Sequence, residues 1–306
     1  MLAGELRREL AGLGELVGRQ LEAVEGLGVE PPECVAAVGA GDSYAAALAA
    51  QGAAGGRVVA LDPLEALSSG VVAALAARGC GLLALSVGGR TRVVVEAAAE
   101  AARRGAWVAA VTAEPGSPLA SRAGVVVPLV YGGLAAGVGA ARHVAMLAAL
   151  AGLYGYRGGL PSAWRGVGCG WLMGPEAHAG ILEAGGSSLY AVLKLYEVFG
   201  SSARWWPLEQ LVHAPVYSVH SVAVYEPARD PLGRTRETLE ALREAGLRVE
   251  TLPRLDGDPW GNALAQAAAV LACLLEAVER LGVREPAYRR HRGLRPLTRL
   301  IYMGVG

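Results

Sequence analysis

From Cys34 to Tyr154 short apolar runs without polar interruption alternate with alanine-rich stretches of helical length. In order they are CVAAVG, DSYAAALAAQG, RVVALD, PLEALSSGVVAALAA, GLLALS, TRVVVEAAAEAARR, WVAAVTA, GVVVPL and GVGAARHVAMLAALAGLYG. A strand with one face in water alternates apolar and polar residues; continuous hydrophobicity requires cover on both faces, which is the situation of a parallel sheet between helical layers. The pattern therefore predicts an α/β chain of doubly wound, three-layer αβα sandwiches with mainly parallel sheets. The rhythm breaks at YRGGLPSAWRGVGCG, a Gly/Pro-rich connection read as a domain boundary. A second alternation follows, led by GWLMG and continuing through SSLYAVLKLYEVFG, RWWPLEQLVH, VYSVHSVAVYE, GRTRETLEALREAG, LRVETLP and a long helix from Trp260 to about Leu281. The expected domains are 1–155, an N-terminal helix with the first sandwich, and 156–306, the second sandwich with a C-terminal tail. A chain of 306 residues, 53% hydrophobic, is large enough to bury a core in each.

Charge is balanced, 28 basic against 28 acidic residues, which leaves no excess positive field for nucleic acid or an anionic membrane. Neither is expected as a partner. Cys34, Cys80, Cys169 and Cys273 are dispersed without CxxC spacing, so neither a zinc module nor a secreted disulfide framework is expected. The first residues read as an amphipathic helix without the apolar core of a signal peptide, and the expectation is a cytoplasmic protein.

Ligands of open α/β sheets bind beyond the carboxyl ends of the strands. Two loops there could cradle a phosphate. In VGAGDSY, Gly39 and Gly41 permit a tight turn and Asp42 or Ser43 can cap the next helix; in LSVGGRT, Ser86, Gly88, Gly89 and Thr91 offer hydroxyls and backbone N–H groups. A dinucleotide fingerprint is the rival, with Gly39, Gly41 and an acid at Asp62, but Tyr44 stands where a third glycine belongs. No cofactor is expected.

GAGDSYAAALA, then ALSVGGRTRVVVEAAAEA, AVTAEPGSPLASRAGVVVPL and GVGAARHVAM resemble the sugar isomerase (SIS) domain in order and spacing. The resemblance implies phosphate binding by Ser43, Ser86 and Thr91, with Gly41 and Gly88 in the same loops. The family usually has a second serine where Gly88 stands and often a polar residue at Val87; Arg90 is an unusual neighbour.

Lys194 is the only lysine; the other 27 basic residues are arginines. On a helix predicted to begin near Ser187 it shares a face with Glu197, three residues on, and His213 follows sixteen residues later. This arrangement is similar to the isomerase half of glucosamine-6-phosphate synthases. The Glu-to-His spacing also resembles archaeal bifunctional phosphoglucose/phosphomannose isomerases, which use an arginine at the position of Arg142. The resemblance implies a hexose 6-phosphate substrate, probed by Glu197 as the base between carbons 1 and 2, His213 for ring opening, and Arg142 beside the enediolate. Lys194 orients Glu197, lowers its pKa or contacts a sugar hydroxyl as a compact ammonium. Aldose–ketose isomerisation suits these groups, because one carboxylate can remove and return a proton and a fixed cation stabilises the enediolate. No metal is expected: His143, His178, His220 and His291 have no evident companions. In the synthases a tail lysine reaches the sugar; here Pro296 stands near that place, so amination by that route is not expected. A homodimer exchanging His213 is compatible with the pattern, and a non-catalytic phosphosugar sensor is the alternative function.

Overall fold

A computed structural model describes residues 2–134, 137–290 and 295–303; His291 lies outside them, as does the side chain of Pro296. An amphipathic helix α1 (Leu2–Glu25) precedes β1 (Val35–Gly39), α2 (Asp42–Ala53), β2 (Val58–Leu61), α3 (Pro63–Ser68), α4 (Val71–Ala76), β3 (Gly81–Leu85), α5 (Arg92–Arg103), β4 (Val108–Thr112), β5 (Val125–Pro128) and α6 (Ala140–Leu153). The second half holds α7 (Gly170–Met173), β6 (Ala177–Gly180), α8 (Leu182–Phe199), β7 (Arg204–Pro207), α9 (Leu208–His213), β8 (Ser221–Tyr225), α10 (Arg234–Glu244), β9 (Arg248–Leu252), α11 (Pro259–Arg280), α12 (Ala287–Arg290) and α13 (Arg295–Ile301).

Both sheets are parallel, with strand orders β2-β1-β3-β4-β5 and β7-β6-β8-β9. The reason for the continuous apolar strands is visible in β1. Val35 and Ala37 join the cluster that includes α1, α2 and α6, while Ala36 and Val38 join the opposite one with α3, α4 and α5. In β8, Ala223 and Tyr225 face the central layer, and Val222 and Val224 face α9 and α10. The three-layer expectation holds in each half, and the central helices α1, α2, α6, α8 and α11 contribute to one core shared by both sheets. Helix α11 is long and apolar enough to cross a membrane, but 89% of its most apolar window is buried in this core.

Two local expectations change, and the rival dinucleotide reading loses its acid. GWLMG forms the helical turn α7, and the strand is the following AHAG, whose small residues suit the tightly covered centre of the sheet. Helix α8 begins at Leu182, five residues before Ser187, because Leu182 takes a left-handed φ of 51° and turns the chain sharply after β6. Asp62, the acid a dinucleotide site would require, caps α3 instead, accepting from the backbone N–H groups of Leu64 and Glu65 at 2.9 and 3.0 Å.

The cysteines are corrected outright. Cys34 pairs with Cys80 and Cys169 with Cys273, their Cα atoms 4.7 and 5.2 Å apart. Separations of 46 and 104 residues carry no pairing signal, since only the fold brings the partners together. The larger loop gives the larger constraint on the unfolded chain. A Cys169→Ala/Cys273→Ala variant should lose about 2–4 kcal/mol of stability, read from denaturant midpoints; a midpoint equal to that of the oxidised parent would remove the crosslink from the account of stability.

Candidate active site

The site is built on the antiparallel contact of α2 with α8. Gly186 permits it: a Cβ there would lie 2.5 Å from both the Ala45 carbonyl oxygen and the Ala49 nitrogen. The helices therefore meet backbone to backbone, which sets the first turn of α2 beside the second half of α8. Asp42 from the one and Lys194 from the other form an ion pair at 2.7 Å.

Lys194 is fully buried, and its ammonium has three donors. All three find acceptors: Asp42 Oδ2 at 2.7 Å, Glu197 Oε2 at 2.5 Å and the Val138 carbonyl oxygen at 2.8 Å. Burial alone would lower its pKa, but the two carboxylates outweigh that and hold it above the usual lysine value. A planar guanidinium cannot converge on three acceptors around one nitrogen, which gives a physical reason for lysine here in a chain otherwise supplied with arginine. The ring of Tyr190, one helical turn back, lies beneath the ammonium with its centroid 5.5 Å from Nζ.

Glu197 is a half-exposed carboxyl at the edge of this cluster. Burial and the neighbouring Asp42 carboxylate push its pKa up to about 7, against the opposing pull of Lys194 and, more weakly, Arg142. A base poised near neutrality is suited to abstracting and returning a proton. Arg142 lies in the first turn of α6, following Gly139, so the same segment that presents Val138 to Lys194 also carries the arginine toward Glu197. Lys194, Glu197 and Arg142 are thus brought together.

The sequence allows Asp42 to cap α2. The α2 N-terminus instead has Gly41 at the cap position, with φ 58° and no side-chain cap, leaving the Asp42 carboxylate to Lys194. His143 does have companions: it stacks on Tyr190 at 3.8 Å between centroids, and its Nδ1 lies 3.1 Å from the Asp42 carbonyl oxygen. Burial drives its pKa down to about 4, so it is neutral at pH 7. His178 is likewise buried, Nδ1 3.0 Å from the Tyr225 hydroxyl, with its pKa depressed to about 3 by burial. Glu9, buried on α1, accepts from the Ala141 N–H at the start of α6. Only folding joins α1, α2, α6 and α8, so these contacts leave no local signal in the sequence.

The phosphate-loop residues lie after β1 and β3, adjacent strands from which the chain winds in opposite directions. That switch point is where ligands of such sheets bind. Ser43 is buried one residue after Asp42, and Ser86 Oγ lies 3.0 Å from Thr91 Oγ1, which stands at the N-cap of α5 without making a side-chain cap. Among the described residues, apart from its own chain neighbours, no heavy atom lies within 4 Å of a Cβ built on Gly88. Arg90 is exposed, and its carbonyl accepts from Met303 N at 2.9 Å, bringing the chain after α13 against this loop.

At the equivalent crevice of the second sheet, after β6 and β8, a pocket of about 390 Å³ is lined in part by Ala228, Asp230, Thr235, Arg236 and Arg254, and acids hold the amide donors beside it. Buried Glu183 accepts from Ala228 N at 2.5 Å and from Asn262 Nδ2 at 2.9 Å, while Asp230 Oδ2 accepts from Thr235 N in the first turn of α10 at 2.7 Å. In the first crevice the corresponding loops carry Ser43, Ser86 and Thr91 hydroxyls instead of carboxylates. The two halves are alike in architecture but present different side chains at their crevices.

His213 is not part of the buried cluster. It ends α9 with its side chain 70% exposed, its Nε2 3.3 Å from Glu209 Oε1. Trp205, half-buried on β7, packs against the core and donates to Ser188 Oγ at 3.0 Å. Among the described residues no group of three or more His, Cys, Asp or Glu side chains is arranged to hold a metal ion.

No protein-family model and no curated protein matches the sequence. Solved structures do share the fold. A candidate phosphosugar isomerase from Silicibacter pomeroyi DSS-3 superimposes with a TM-score of 0.71 at 19% identity, over 91% of this chain and 98% of that one. The C-terminal domain of glucosamine-fructose-6-phosphate aminotransferase from Francisella tularensis gives 0.67 at 14% identity, over 92% and 97%. Tagatose-6-phosphate ketose/aldose isomerase from Escherichia coli gives 0.59 at 13% identity, over 91% and 90%. At these identities the likeness establishes the architecture alone, three-layer αβα sandwiches with parallel sheets.

Proposed function

We propose that the chain is a phosphosugar aldose–ketose isomerase acting on a hexose 6-phosphate, the glucose/fructose pair first and mannose 6-phosphate second. The observation that carries this reading is the Glu197 carboxyl, held near neutrality beside two cations and next to the helix turn that bears Ser43. The neighbouring folds described as phosphosugar isomerases support the same class of substrate.

In this reading the phosphate sits at the switch point of the first sheet, with Ser43, Ser86 and Thr91 donating hydroxyls and Gly41 and Gly88 allowing close backbone approach. Glu197 removes the proton from carbon 2 of the open-chain aldose and delivers it to carbon 1. Arg142 stabilises the charge that develops on the cis-enediolate oxygens, and Lys194 holds Glu197 in place. His213, exposed on α9, serves ring opening from a partner subunit in a homodimer, since in its own chain it is engaged with Glu209. The division at 155/156 assigns phosphate binding to the first domain and the base to the second. A cytoplasmic location carries a condition: paired cysteines persist inside cells chiefly in hyperthermophiles. The exposed position of His213 also favours the second reading, a phosphosugar sensor that binds without turnover.

The test is a coupled assay with glucose, fructose and mannose 6-phosphates in the presence of EDTA, run beside Ser86→Ala. Turnover should survive chelation, and Ser86→Ala should raise KM with a smaller change in kcat, because a remote phosphate is held equally in ground and transition states. Binding without turnover of any hexose phosphate would replace the isomerase by the sensor. Activity lost to EDTA and restored by a divalent metal would replace the carboxylate-only mechanism.

A further inference from the structure

We propose that Asp42 is a positioning residue that sets the proton affinity of Glu197 by taking a share of the Lys194 ammonium. The geometry is a carboxylate–ammonium–carboxylate bridge: Asp42 Oδ2 and Glu197 Oε2 lie 2.7 and 2.5 Å from the same buried nitrogen. Only one oxygen of Asp42 is engaged in this way; among the described residues Oδ1, which is buried, has no hydrogen-bond partner and so no second donor that absorbs its charge.

Burial raises the proton affinity of Glu197 and Lys194 and Arg142 lower it; flanked by the two cations without Asp42, Glu197 would be a weaker proton acceptor, since base strength falls with pKa. Asp42 cancels the lysine charge and adds its own repulsion, which raises the affinity of Glu197 for a proton. The other groups around the cluster cannot substitute. From α6, His143 is neutral at pH 7 and Arg142 acts in the opposite direction. On α8, Tyr190 keeps its proton because burial raises its pKa far above the ordinary value. From α1, Glu9 is turned to the Ala141 amide, and from α12, Tyr288 donates to the Gly137 carbonyl at 2.8 Å. Asp42 is therefore the negative charge that reaches Glu197 through Lys194.

The kinetic consequence rests on the isomerase reading, whereas the titration does not. With 13C-glutamate incorporated, the Glu197 carboxyl resonance is identified by its loss in Glu197→Gln and followed against pH. Asp42→Asn should lower its midpoint by at least about one unit, and the acid limb of the kcat profile should move down with it. Asp42→Glu, which keeps the charge, should return the midpoint toward that of the parent; Asp42→Ser provides the uncharged comparison if the asparagine variant does not fold. A midpoint unmoved in a folded, uncharged variant, or moved equally by Asp42→Glu, overturns the proposal. A moved midpoint in a protein that turns over no hexose phosphate upholds the coupling and overturns the isomerase reading alone.

Discussion

Glu197→Gln should reduce isomerisation by roughly a hundredfold to ten-thousandfold, with substrate binding largely kept. The amide has nearly the volume of the carboxyl and can still accept from Lys194, so the packing of α2 on α8 is retained; what is lost is the atom that carries the proton between the two carbons. Two pH measurements follow from the raised pKa of about 7. In the parent, kcat should rise with pH as Glu197 ionises through that value. Stability should move the other way. Between the unfolded carboxyl's ordinary value and about 7 the folded state holds a proton that the unfolded state has released, so stability is fully present below the lower value and declines as pH rises through the higher one. Glu197→Gln removes that decline, and its unfolding midpoint should gain on the parent's as pH is raised from 5 to 8. Wild-type turnover in the variant would remove Glu197 from the chemistry. Parallel stability curves for the two proteins would show that the carboxyl is not held protonated by its surroundings.

The parallel sheets were legible because burial on both faces leaves a local trace, the unbroken apolar runs of β1, β3 and β4. Lys194 and Glu197 were legible for a similar reason, three residues apart on one helix. Contacts between distant segments left less trace. Nothing near Asp42 in the chain indicates that α8 will arrive 152 residues later, and its position in the first turn of α2 made a helix cap the economical reading. The same holds for Glu9 and for the cysteine pairs. Helix α8 started early because the left-handed turn after β6 is made by Leu182, where the first half uses Gly41; a leucine carries no sequence signal for positive φ. The contact of Glu183 with the amide of Ala228, 45 residues later, was equally invisible in the sequence.

Lys194→Met should cost about 3–5 kcal/mol of stability at neutral pH. Methionine fills a similar volume in the core, so the loss reports charge rather than a cavity: Asp42 and Glu197 would face each other without the cation between them, and the Val138 carbonyl would lose its donor. The cost should depend on pH with a definite sign. Protonating one carboxyl relieves the repulsion, so the variant should lie nearer the parent at pH 5 than at pH 8, as measured by urea midpoints at both values. A penalty independent of pH would mean that packing, not the bridge, is what the lysine supplies. Lys194→Arg separates charge from shape. It keeps the cation but spreads its donors over a plane, and with no exposed surface at this position the guanidinium cannot turn outward to solvent. The arginine variant should therefore lose turnover, whereas an exposed ion pair would accept the exchange unnoticed. If Lys194→Arg keeps both the stability and the kcat of the parent, one convergent nitrogen is not required, and the lone lysine of this chain has no role that an arginine could not fill.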